Sequence, residues 1–336
     1  PKIVPLSNNN IYSSSENKSK SLNLTDNDHC LNIMPLFHIH GLIAVLATSM
    51  KVGASVCASS GFNALKFLDL ARLEKITWYS GVPTMHQAIL LRANKNKEAA
   101  KNLNLRLIRS SSASLPPAVF KDLNEAFNCP VIEAYGMTEA THQMTSNPLP
   151  PKQQKAGFVG LPAGPEVCIM SENGDMMKQG EEGEVCIKGK NVTLGYENNE
   201  EANKTSFTNG WFRTGDQGYF DEDGYLKISG RLKEIINKGG EKISPLEVDN
   251  VLMDHPSIDQ AVCFGYEDKM LGENIASAII IKSGEMCSED DVLKYAEEKL
   301  AKFKIPKKIF FVDEIPKGAT GKLQRNVLAK KFGLSS

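Results

Sequence analysis

The feature that most constrains this chain is the alternation of short apolar segments with helical segments over its first 150 or so residues. Strand-like runs occur at 76–79, 105–108 and 129–133. Before the last of these, SLPP at 114–117 is typical of a helix start, because proline is tolerated in the first turn, where its missing N–H has no partner. Alternation of this kind predicts an α/β layer structure with a largely parallel sheet.

Two segments near the start of the chain differ sharply in polarity. Residues 7–27 are rich in Ser, Asn and Lys, which predicts a polar surface stretch, a loop leading into a helix. Residues 41–50 form the most apolar run, which favours a buried helix. This run is far shorter than the ~20 residues that cross a bilayer, so we expect no membrane partner.

After about residue 155 the pattern changes to short alternating strands separated by glycine turns. The DG pair at 223–224, between two strand-like runs, is the strongest hairpin signal. From residue 231 a compact α+β pattern begins, with a capping box predicted at Ser244–Glu247 and a second helix start, with acids in its first turn, predicted at 288–291. We therefore predict a larger domain at 1–230, with a β-rich subdomain at about 155–230, and a small α+β domain at 231–336.

Composition excludes several classes of protein. The chain of 336 residues carries 39 Lys and Arg against 40 Asp and Glu, so no basic excess draws it to nucleic acid. Seven cysteines without tight spacing indicate a reduced, cytoplasmic protein. The final residues are not the Ser-Lys-Leu peroxisomal signal, although a peroxisomal location remains an alternative. Composition makes no prediction of oligomeric state.

Two short segments could each hold part of a phosphate-bearing ligand. YGMTE at 135–139 follows a strand and offers a hydroxyl for phosphate and a carboxylate that suits Mg²⁺. A strand followed by a capped helix is the alternative for this segment. WFRTGD at 211–216 places Asp216 at a predicted strand end, where a carboxylate can accept both hydroxyls of a ribose. An aspartate in a hairpin turn is the alternative there.

Two further segments combine glycine with basic residues. The stretch 230–245 joins a cationic segment to a Gly-Gly loop, and it could serve an anionic ligand. PKGATGK at 316–322 carries Lys322 on a glycine-bearing loop, from which a lysine can reach an anion in a closed site. An exposed linker and a solvated terminal loop are the respective alternatives.

In this order and spacing, the four segments resemble the signature motifs of the acyl- and aryl-CoA synthetases of the adenylate-forming superfamily. The resemblance extends over nearly the whole chain, through PLFHIHG at 35–41, SSSAS at 110–114 and GEVCIKG at 183–189. The stretches 134–150 and 230–245 are most similar to the subgroup that acts on oxalate. The resemblance implies part of a large α/β domain with a small β-rich subdomain, followed by a mobile C-terminal domain.

The resemblance also implies an ATP-dependent acid–CoA ligase that forms an acyl-adenylate, with ATP, Mg²⁺ and CoA as cofactors or co-substrates. By motif position, Thr138 would bind a phosphate oxygen, Glu139 would hold Mg²⁺, and Lys322 would bridge the acid and the α-phosphate; these three are the implied catalytic residues. Other implied nucleotide contacts are Glu133, Ala134 and Tyr135 at the adenine and Asp216 and Arg231 at the ribose. The hinge position is Lys233, and the CoA-facing positions are Lys238, Gly239, Gly240 and Glu241.

The resemblance places His38, Ser112 and His142 at acid-binding positions. Two imidazoles and a hydroxyl can donate hydrogen bonds to a second carboxylate, whose burial without such donors would cost several kcal/mol. A histidine satisfied by the backbone is the alternative for each position. Together the three predict a very small diacid such as oxalate, and another small acid, such as acetate or malonate, is the alternative.

The start of the chain departs from the family pattern. In the family, a phosphate-gripping loop rich in Ser, Thr and Gly ends in Pro-Lys, and this sequence begins with Pro1-Lys2. We therefore expect a chain that lacks the family's upstream part and that adenylates poorly or not at all by itself. The alternative from another class is a truncated, non-catalytic paralogue that retains a nucleotide or CoA site.

Overall fold

The computed structural model describes residues 2–318 and 323–334 and divides into two compact units. The first unit comprises Pro1–Thr214 and Gly218–Ile228, and the second comprises Gly215–Gln217 and Ser229–Ser336. The main passage between the units thus lies at 228–229, and the middle of one long strand is also assigned to the second unit.

The first unit is built on a sheet that is mainly parallel. In the described part of the chain its seven strands are β1 (His29–Asn32), β2 (Ser55–Ala58), β3 (Trp78–Gly81), β4 (Leu107–Ser110), β5 (Val131–Met137), β6 (His142–Ser146) and β7 (Leu161–Pro162). Their order is β2-β1-β3-β4-β5-β6-β7. The first five run parallel, and β6 and β7 are antiparallel to their neighbours. The predicted α/β class with a largely parallel sheet is confirmed.

Helices cover both faces of this sheet. They are α1 (Asn8–Ser21), α2 (Thr48–Lys51), α3 (Phe67–Leu73), α4 (Pro83–Lys95), α5 (Lys97–Lys101) and α6 (Pro117–Phe127). A further helix, α7 (Glu200–Ser206), contributes Ala202 to a separate apolar cluster with Ile187 and Phe212. Tyr79, Ile108 and Val131 contribute to a core with α3, α4 and α6. Their chain neighbours, such as Trp78 and Leu107, contribute to a second core with Leu22. The strands are therefore buried on both faces, as parallel strands usually are.

The polar segment 7–27 contains the predicted helix, but this helix begins at Asn8 without a preceding loop and six of its residues are buried, so the predicted surface placement is wrong. Ser7 caps α1 in a capping box with Asn10, and Ser14 and Lys18 are fully buried. The Asn10 amide donates to the carbonyls of Lys190 and Val192. Because α1 is held by hydrogen bonds and has few apolar contacts, its burial leaves no hydrophobic periodicity in the sequence.

The apolar run at 41–50 is helical, but its first part is a π-helix, His40–Ala47, which continues into α2. The Thr48 backbone N–H donates to the Ile43 carbonyl, five residues back, as a π-helix requires. Gly41 is needed here, because a Cβ would lie 2.5 Å from the Pro35 carbonyl oxygen. Only one face of the run is buried, since Met50 is exposed. Among the described helices, none has the length and apolar character that crossing a bilayer demands.

A second sheet follows the parallel one. Its strands are β8 (Glu166–Met170), β9 (Gly183–Lys188), β10 (Phe207–Thr208), β11 (Trp211–Phe220) and β12 (Leu226–Arg231). The order is β10-β11-β9-β8, and β12 pairs with β11. The hairpin predicted at 223–224 is confirmed, and Gly224 adopts a φ of 79° there. Asp216 lies in the middle of β11, so its predicted placement at a strand end is wrong.

The second unit is an α+β arrangement around a further sheet. Its elements are β13 (Ile236–Lys238), β14 (Glu241–Ile243), α8 (Pro245–Met253), β15 (Ile258–Asp268), β16 (Gly272–Ile281), α9 (Glu289–Lys299), β17 (Lys308–Phe311) and α10 (Leu328–Lys331). The strand order is β14-β13-β16-β15, and β17 pairs parallel with β16. Apolar residues of α8 and α9 pack on this sheet, among them Leu252 and Val292.

The two predicted helix starts of this unit have different outcomes. At α9 the predicted cap is confirmed and is a full capping box, because the Ser288 hydroxyl accepts from the Asp291 backbone N–H and the Asp291 side chain accepts from Ser288. At α8 Ser244 is the N-cap residue, but its hydroxyl donates to the Ser229 carbonyl instead. The predicted box at 244–247 is therefore wrong, although Pro245 does open the helix.

Candidate active site

Three polar side chains of the first unit meet near the carboxyl ends of its parallel strands. His40 opens the π-helix beyond β1, Ser112 lies in the loop after β4, and His142 begins β6. In open α/β sheets, ligands bind at this edge of the strands. We call His40, Ser112 and His142 the acid pocket.

His40 lies at the centre of the acid pocket. Its Nδ1 is 3.0 Å from the Ser112 Oγ, and its Nε2 is 2.6 Å from the Oγ of Ser80 on β3. The ring centroids of His40 and His142 are 5.1 Å apart with an edge-on orientation. The structure therefore brings together two of the predicted acid-binding residues, Ser112 and His142, around a histidine that was not predicted.

His142 is the residue of the acid pocket whose side-chain hydrogen-bonding atoms are buried and unpartnered among the described residues. It is 1% exposed, and within the described residues neither of its ring nitrogens has a hydrogen-bond partner. Buried polar groups in native proteins are almost always hydrogen-bonded, so an orphaned imidazole indicates a site for a polar molecule.

The backbone of the acid pocket adopts conformations that side chains usually avoid. Ser112 has a φ of 74°, and the consecutive Thr141 and His142 have φ values of 50° and 95°. Non-glycine residues rarely enter this left-handed region, and such strain tends to occur at functional sites. Gly136 allows the arrangement, because a Cβ there would lie 1.7 Å from the His142 carbonyl oxygen.

Two fully buried cations lie behind the acid pocket. Arg109 on β4 donates from Nη1 to the Ser80 Oγ at 3.3 Å and from Nη2 to the Gln143 Oε1 at 3.4 Å. Lys18 on α1 donates from Nζ to the Ser14 Oγ at 3.1 Å. Burial lowers the pKa of Arg109 to about 9, and burial followed by the nearby Arg109 charge lowers the pKa of Lys18.

The same environment controls the two histidines of the acid pocket. Burial is the largest cause that lowers the pKa of His40 and of His142, and the Arg109 charge is the second. Both imidazoles are therefore neutral at pH 7, and each carries one N–H donor and one acceptor nitrogen.

Sequence reasoning missed four of these residues: Lys18, His40, Ser80 and Arg109. Arg109 left a signal, because an arginine inside a strand that is apolar on both faces is uncommon. The predicted His38 is half-buried, and its Nδ1 accepts from the His40 backbone N–H at 3.2 Å. The sequence thus indicated the right segment, with His38 two positions from the histidine that contacts Ser112.

The segment 135–139 was predicted to be a loop, and this is wrong for its first part. Strand β5 continues to Met137 and pairs with β6, and a 3₁₀ turn, Thr138–Ala140, follows. The Tyr196 hydroxyl donates to the Glu139 Oε1 at 2.8 Å, and burial and this carboxylate raise the pKa of Tyr196. Thr138 is exposed and Glu139 is half-buried beside it.

The three predicted adenine contacts lie along β5. Ala134 is buried and Tyr135 is half-buried among apolar side chains of the first unit. Glu133 is buried, and its Oε1 accepts from the Leu115 backbone N–H at 3.0 Å. Burial raises the pKa of Glu133 to about 8. Glu133 thus fixes the loop that carries Ser112.

In the second unit, two predicted ribose contacts form an ion pair. The Arg231 Nε donates to the Asp216 Oδ1 at 2.8 Å, and Asp216 is buried while Arg231 is about half exposed. Lys233 is exposed on a 3₁₀ turn, Leu232–Glu234. Lys322 lies outside the described residues.

The predicted CoA-facing residues form a tight β-hairpin between β13 and β14. Gly239 and Gly240 are its turn, with φ values of 62° and 94°. Glu241 is exposed, and the Lys238 Nζ donates to the Phe303 carbonyl at 3.0 Å.

Comparison with known proteins identifies the family. Residues 1–197 match the model of the AMP-binding enzyme. The chain belongs to the AMP-binding enzyme family. Residues 247–322 match the AMP-binding enzyme C-terminal domain, which covers most of the second unit. The family predicted from the sequence motifs is confirmed.

Among AMP-binding enzymes, the chain is similar to two proteins named oxalate–CoA ligase. It is 49% identical over 335 residues to the one from Arabidopsis thaliana, an alignment that covers 99% of this chain and 65% of that protein. It is 47% identical over 338 residues to the one from Saccharomyces cerevisiae, with 100% and 62% covered. The chain therefore spans just under two thirds of the length of these relatives.

A solved AMP-binding enzyme has the same fold. The ATP-bound structure of MatB from Rhodopseudomonas palustris superposes with a TM-score of 0.92 at 31% identity. The match covers 98% of this chain and 65% of that one. The predicted adenylate-forming fold is confirmed.

Proposed function

We propose that this chain supplies the acid pocket and the C-terminal domain of an ATP-dependent acid–CoA ligase. The reaction would be oxalate, ATP and CoA to oxalyl-CoA, AMP and pyrophosphate, through an acyl-adenylate. The observation that carries this proposal is His142, a buried neutral imidazole whose two ring nitrogens have no partner in the described structure. The similarity to two oxalate–CoA ligases supports it.

The acid pocket suits a very small diacid. The Ser112 hydroxyl and the two imidazoles lie close to one another. Ser112 and His142 can each donate a proton to a carboxylate, because the hydrogen bond of His40 is made to Ser112. One carboxylate of oxalate would be held here, while the other would attack the α-phosphate of ATP. Holding the acid in this way converts a reaction between two anions into one between oriented groups, which lowers the barrier.

The residues implied by motif position would hold the nucleotide. The Asp216 carboxylate would accept hydrogen bonds from the ribose hydroxyls, and Arg231 would contact the ribose or a phosphate. The Thr138 hydroxyl would donate a hydrogen bond to a phosphate oxygen. The contacts at the adenine would come from the β5 residues Glu133, Ala134 and Tyr135. In the first half-reaction Lys322 would bridge the acid and the α-phosphate. In the second half-reaction the hairpin from Lys238 to Glu241 would face CoA. Lys233 would be the hinge residue.

Glu139 fits the Mg²⁺ that the family implies. In the part of the chain that the structure describes, no three His, Cys, Asp or Glu side chains converge on a metal site. A single half-buried carboxylate is nevertheless the usual protein share of an Mg²⁺ site, because phosphate oxygens and waters complete it. When bound, the ion would offset the negative charge of the phosphates during attack.

The direct test is formation of a CoA thioester with ATP and Mg²⁺ over oxalate, malonate, acetate and octanoate. The assay would use this chain and an extended chain, which we define as this chain preceded by the upstream third of the Arabidopsis relative. We expect the extended chain to use oxalate best. Turnover of another acid but not of oxalate would contradict the oxalate assignment, and no turnover of any acid would contradict the ligase function.

Substitution of His142 tests the observation that carries the proposal. In the extended chain, His142→Ala should lower kcat/KM for oxalate about 100-fold, since a charged acceptor would lose its buried donor. His255→Ala, in the second unit, is the matched control and should leave oxalate turnover unchanged. Full oxalate turnover by His142→Ala would refute the role of this imidazole.

A further inference from the structure

The two buried cations behind the acid pocket have no negative partner among the residues that the structure describes. Arg109 and Lys18 are both fully buried, and among the described residues neither forms an ion pair with a carboxylate. The Nε of Arg109 has no hydrogen-bond partner there either. Burial of a cation without a counter-charge is costly, so proteins rarely retain one without a use for it.

Arg109 is joined to the acid pocket by a chain of hydrogen bonds. A guanidinium can only donate, so the Ser80 Oγ accepts from Arg109 and can direct its own proton to the His40 Nε2, 2.6 Å away. His40 then carries its proton on Nδ1 and donates to the Ser112 Oγ at 3.0 Å. This leaves the Ser112 hydroxyl free to donate to a ligand.

Lys18 reaches the other side of the pocket. Its Nζ donates to the Ser14 Oγ, and the Ser14 hydroxyl donates to the Thr141 carbonyl at 2.5 Å. Thr141 precedes His142 and shares its left-handed backbone. Lys18 therefore supports the strained segment that presents the orphaned imidazole.

We propose that Arg109 and Lys18 are positioning residues that make the acid pocket select dianions over monoanions of the same size. Their charges lack an opposite charge among the described residues, and an acid whose second anionic group lies in the pocket supplies it. Arg109 also aligns the donors of Ser80, His40 and Ser112 toward that group. This inference deepens the proposed function and rests on it for its kinetic test.

The kinetic test compares oxalate with glyoxylate, which has nearly the same shape and one negative charge fewer. In the extended chain, Arg109→Met should lower the ratio of kcat/KM for oxalate to that for glyoxylate about 10- to 100-fold, the value of one interaction with a charged group. Arg109→Lys should restore part of the ratio. The matched control is Arg106→Met, because Arg106 lies three residues earlier and pairs with Asp28; its ratio should stay at the wild-type value.

A stability measurement separates this role from a structural one. Replacing a buried cation that lacks a partner by an apolar side chain of similar length removes a desolvation penalty. Arg109→Met and Lys18→Met should therefore keep or raise the Tm of the chain while oxalate selectivity falls. A lower Tm with equal loss of oxalate and glyoxylate turnover would overturn the inference.

Ligand binding gives a readout that does not need turnover. Oxalate should raise the Tm of wild type more than glyoxylate does, and Arg109→Met should abolish this difference. If oxalate raises the Tm of wild type more than glyoxylate does but no thioester forms, the selection of dianions is supported and the ligase function is contradicted. If thioester forms and Arg109→Met leaves both the ratio and the difference unchanged, the ligase function stands and the inference fails.

Discussion

Two buried arginines, one in each unit, have opposite surroundings. Arg325 in the second unit donates from Nη2 to the buried Asp249 at 2.6 Å and from Nε to Glu234 at 3.2 Å. Burial alone would lower the pKa of Arg325, but these carboxylates outweigh it and hold the pKa above its ordinary value. Among the described residues, the Arg109 side chain of the first unit donates to one hydroxyl and one amide oxygen, and burial lowers its pKa to about 9.

The difference indicates whether a buried arginine supports the fold or a ligand site. The Arg325 network is complete within the protein, since each charged group faces an opposite one, and its effect is to hold α8 and the C-terminal segment to β15. Arg109 donates to Ser80 and Gln143, but among the described residues its Nε has no hydrogen-bond partner and its charge has no opposite charge. A closed network supports the fold, whereas an open one next to an orphaned imidazole points to a ligand.

The largest expected effect is on the closed network. Arg325→Met leaves Asp249 buried without its cation, and we expect a loss of about 3–5 kcal/mol in the free energy of unfolding of the second unit. Chemical denaturation followed by a probe in that unit measures it. The double variant Arg325→Met with Asp249→Leu should recover part of the loss. If Arg325→Met lowers the free energy of unfolding no more than Arg109→Met does, the proposed difference between the two networks is wrong.

The next effect tests the backbone that holds the open network. Gly136→Ala places a Cβ against the His142 carbonyl, so β5 and β6 must separate. We expect a loss of about 2–4 kcal/mol in unfolding free energy, typical of a severe steric change, together with loss of oxalate-dependent stabilisation. The control is Gly284→Ala, where φ is 86° and no atom lies within 4 Å; about 1 kcal/mol is expected there. Equal losses in the two variants would show that the close approach is unimportant.

Glu133 is the counterpart of Arg109, because it is a buried acid whose Oε2 has no hydrogen-bond partner among the described residues. Its raised pKa of about 8 means that the folded protein holds a proton which the unfolded chain releases near pH 4.5. Its contribution to stability is therefore full below pH 4.5 and is lost as pH rises through 8. Between pH 5 and pH 8, wild type should lose about 3 kcal/mol relative to Glu133→Gln. Parallel stability curves for the two proteins would contradict this.

The smallest expected effect tests whether the stability change on replacing an arginine depends on its ion-pair partner or on the unit that contains it. Arg106 lies in the first unit, as Arg109 does, but it pairs with the buried Asp28 at 3.1 Å. Arg106→Met should cost about 1–2 kcal/mol, because Asp28 keeps its hydrogen bonds from Thr25 and Thr77. Thermal unfolding measures it. A gain in stability from Arg106→Met would mean that arginines of this unit behave alike whatever their partner.

The fold was largely predictable, and its errors have a common origin. The predicted strands at 76–79 and 105–108 are found two residues later, at Trp78–Gly81 and Leu107–Ser110. The displaced ends contain Ser80, Arg109 and Ser110, polar residues that a search for apolar runs excludes. In the same way the segment of α1 was predicted to lie at the surface, because its buried side chains are Ser, Asn and Lys.

The candidate site was predictable only where a motif marks it. Motif position indicated Ser112 and His142, and the structure places both in one pocket. Lys18 and Arg109 could not be found this way, because their burial depends on distant parts of the chain. Ser14, the partner of Lys18, meets a carbonyl 127 residues further along, at Thr141. Such contacts leave no periodic trace in the sequence.

The wide turn His40–Ala47 sets the rotational phase of His40. A π turn holds about one residue more than an α turn, and one residue corresponds to a rotation of ~100° about the helix axis. A protein with one residue fewer in this segment would keep a helix with an apolar face, but its imidazole would turn away from Ser80 and Ser112. A change in segment length by a single residue would thus redefine which acid the pocket accepts while the fold is preserved.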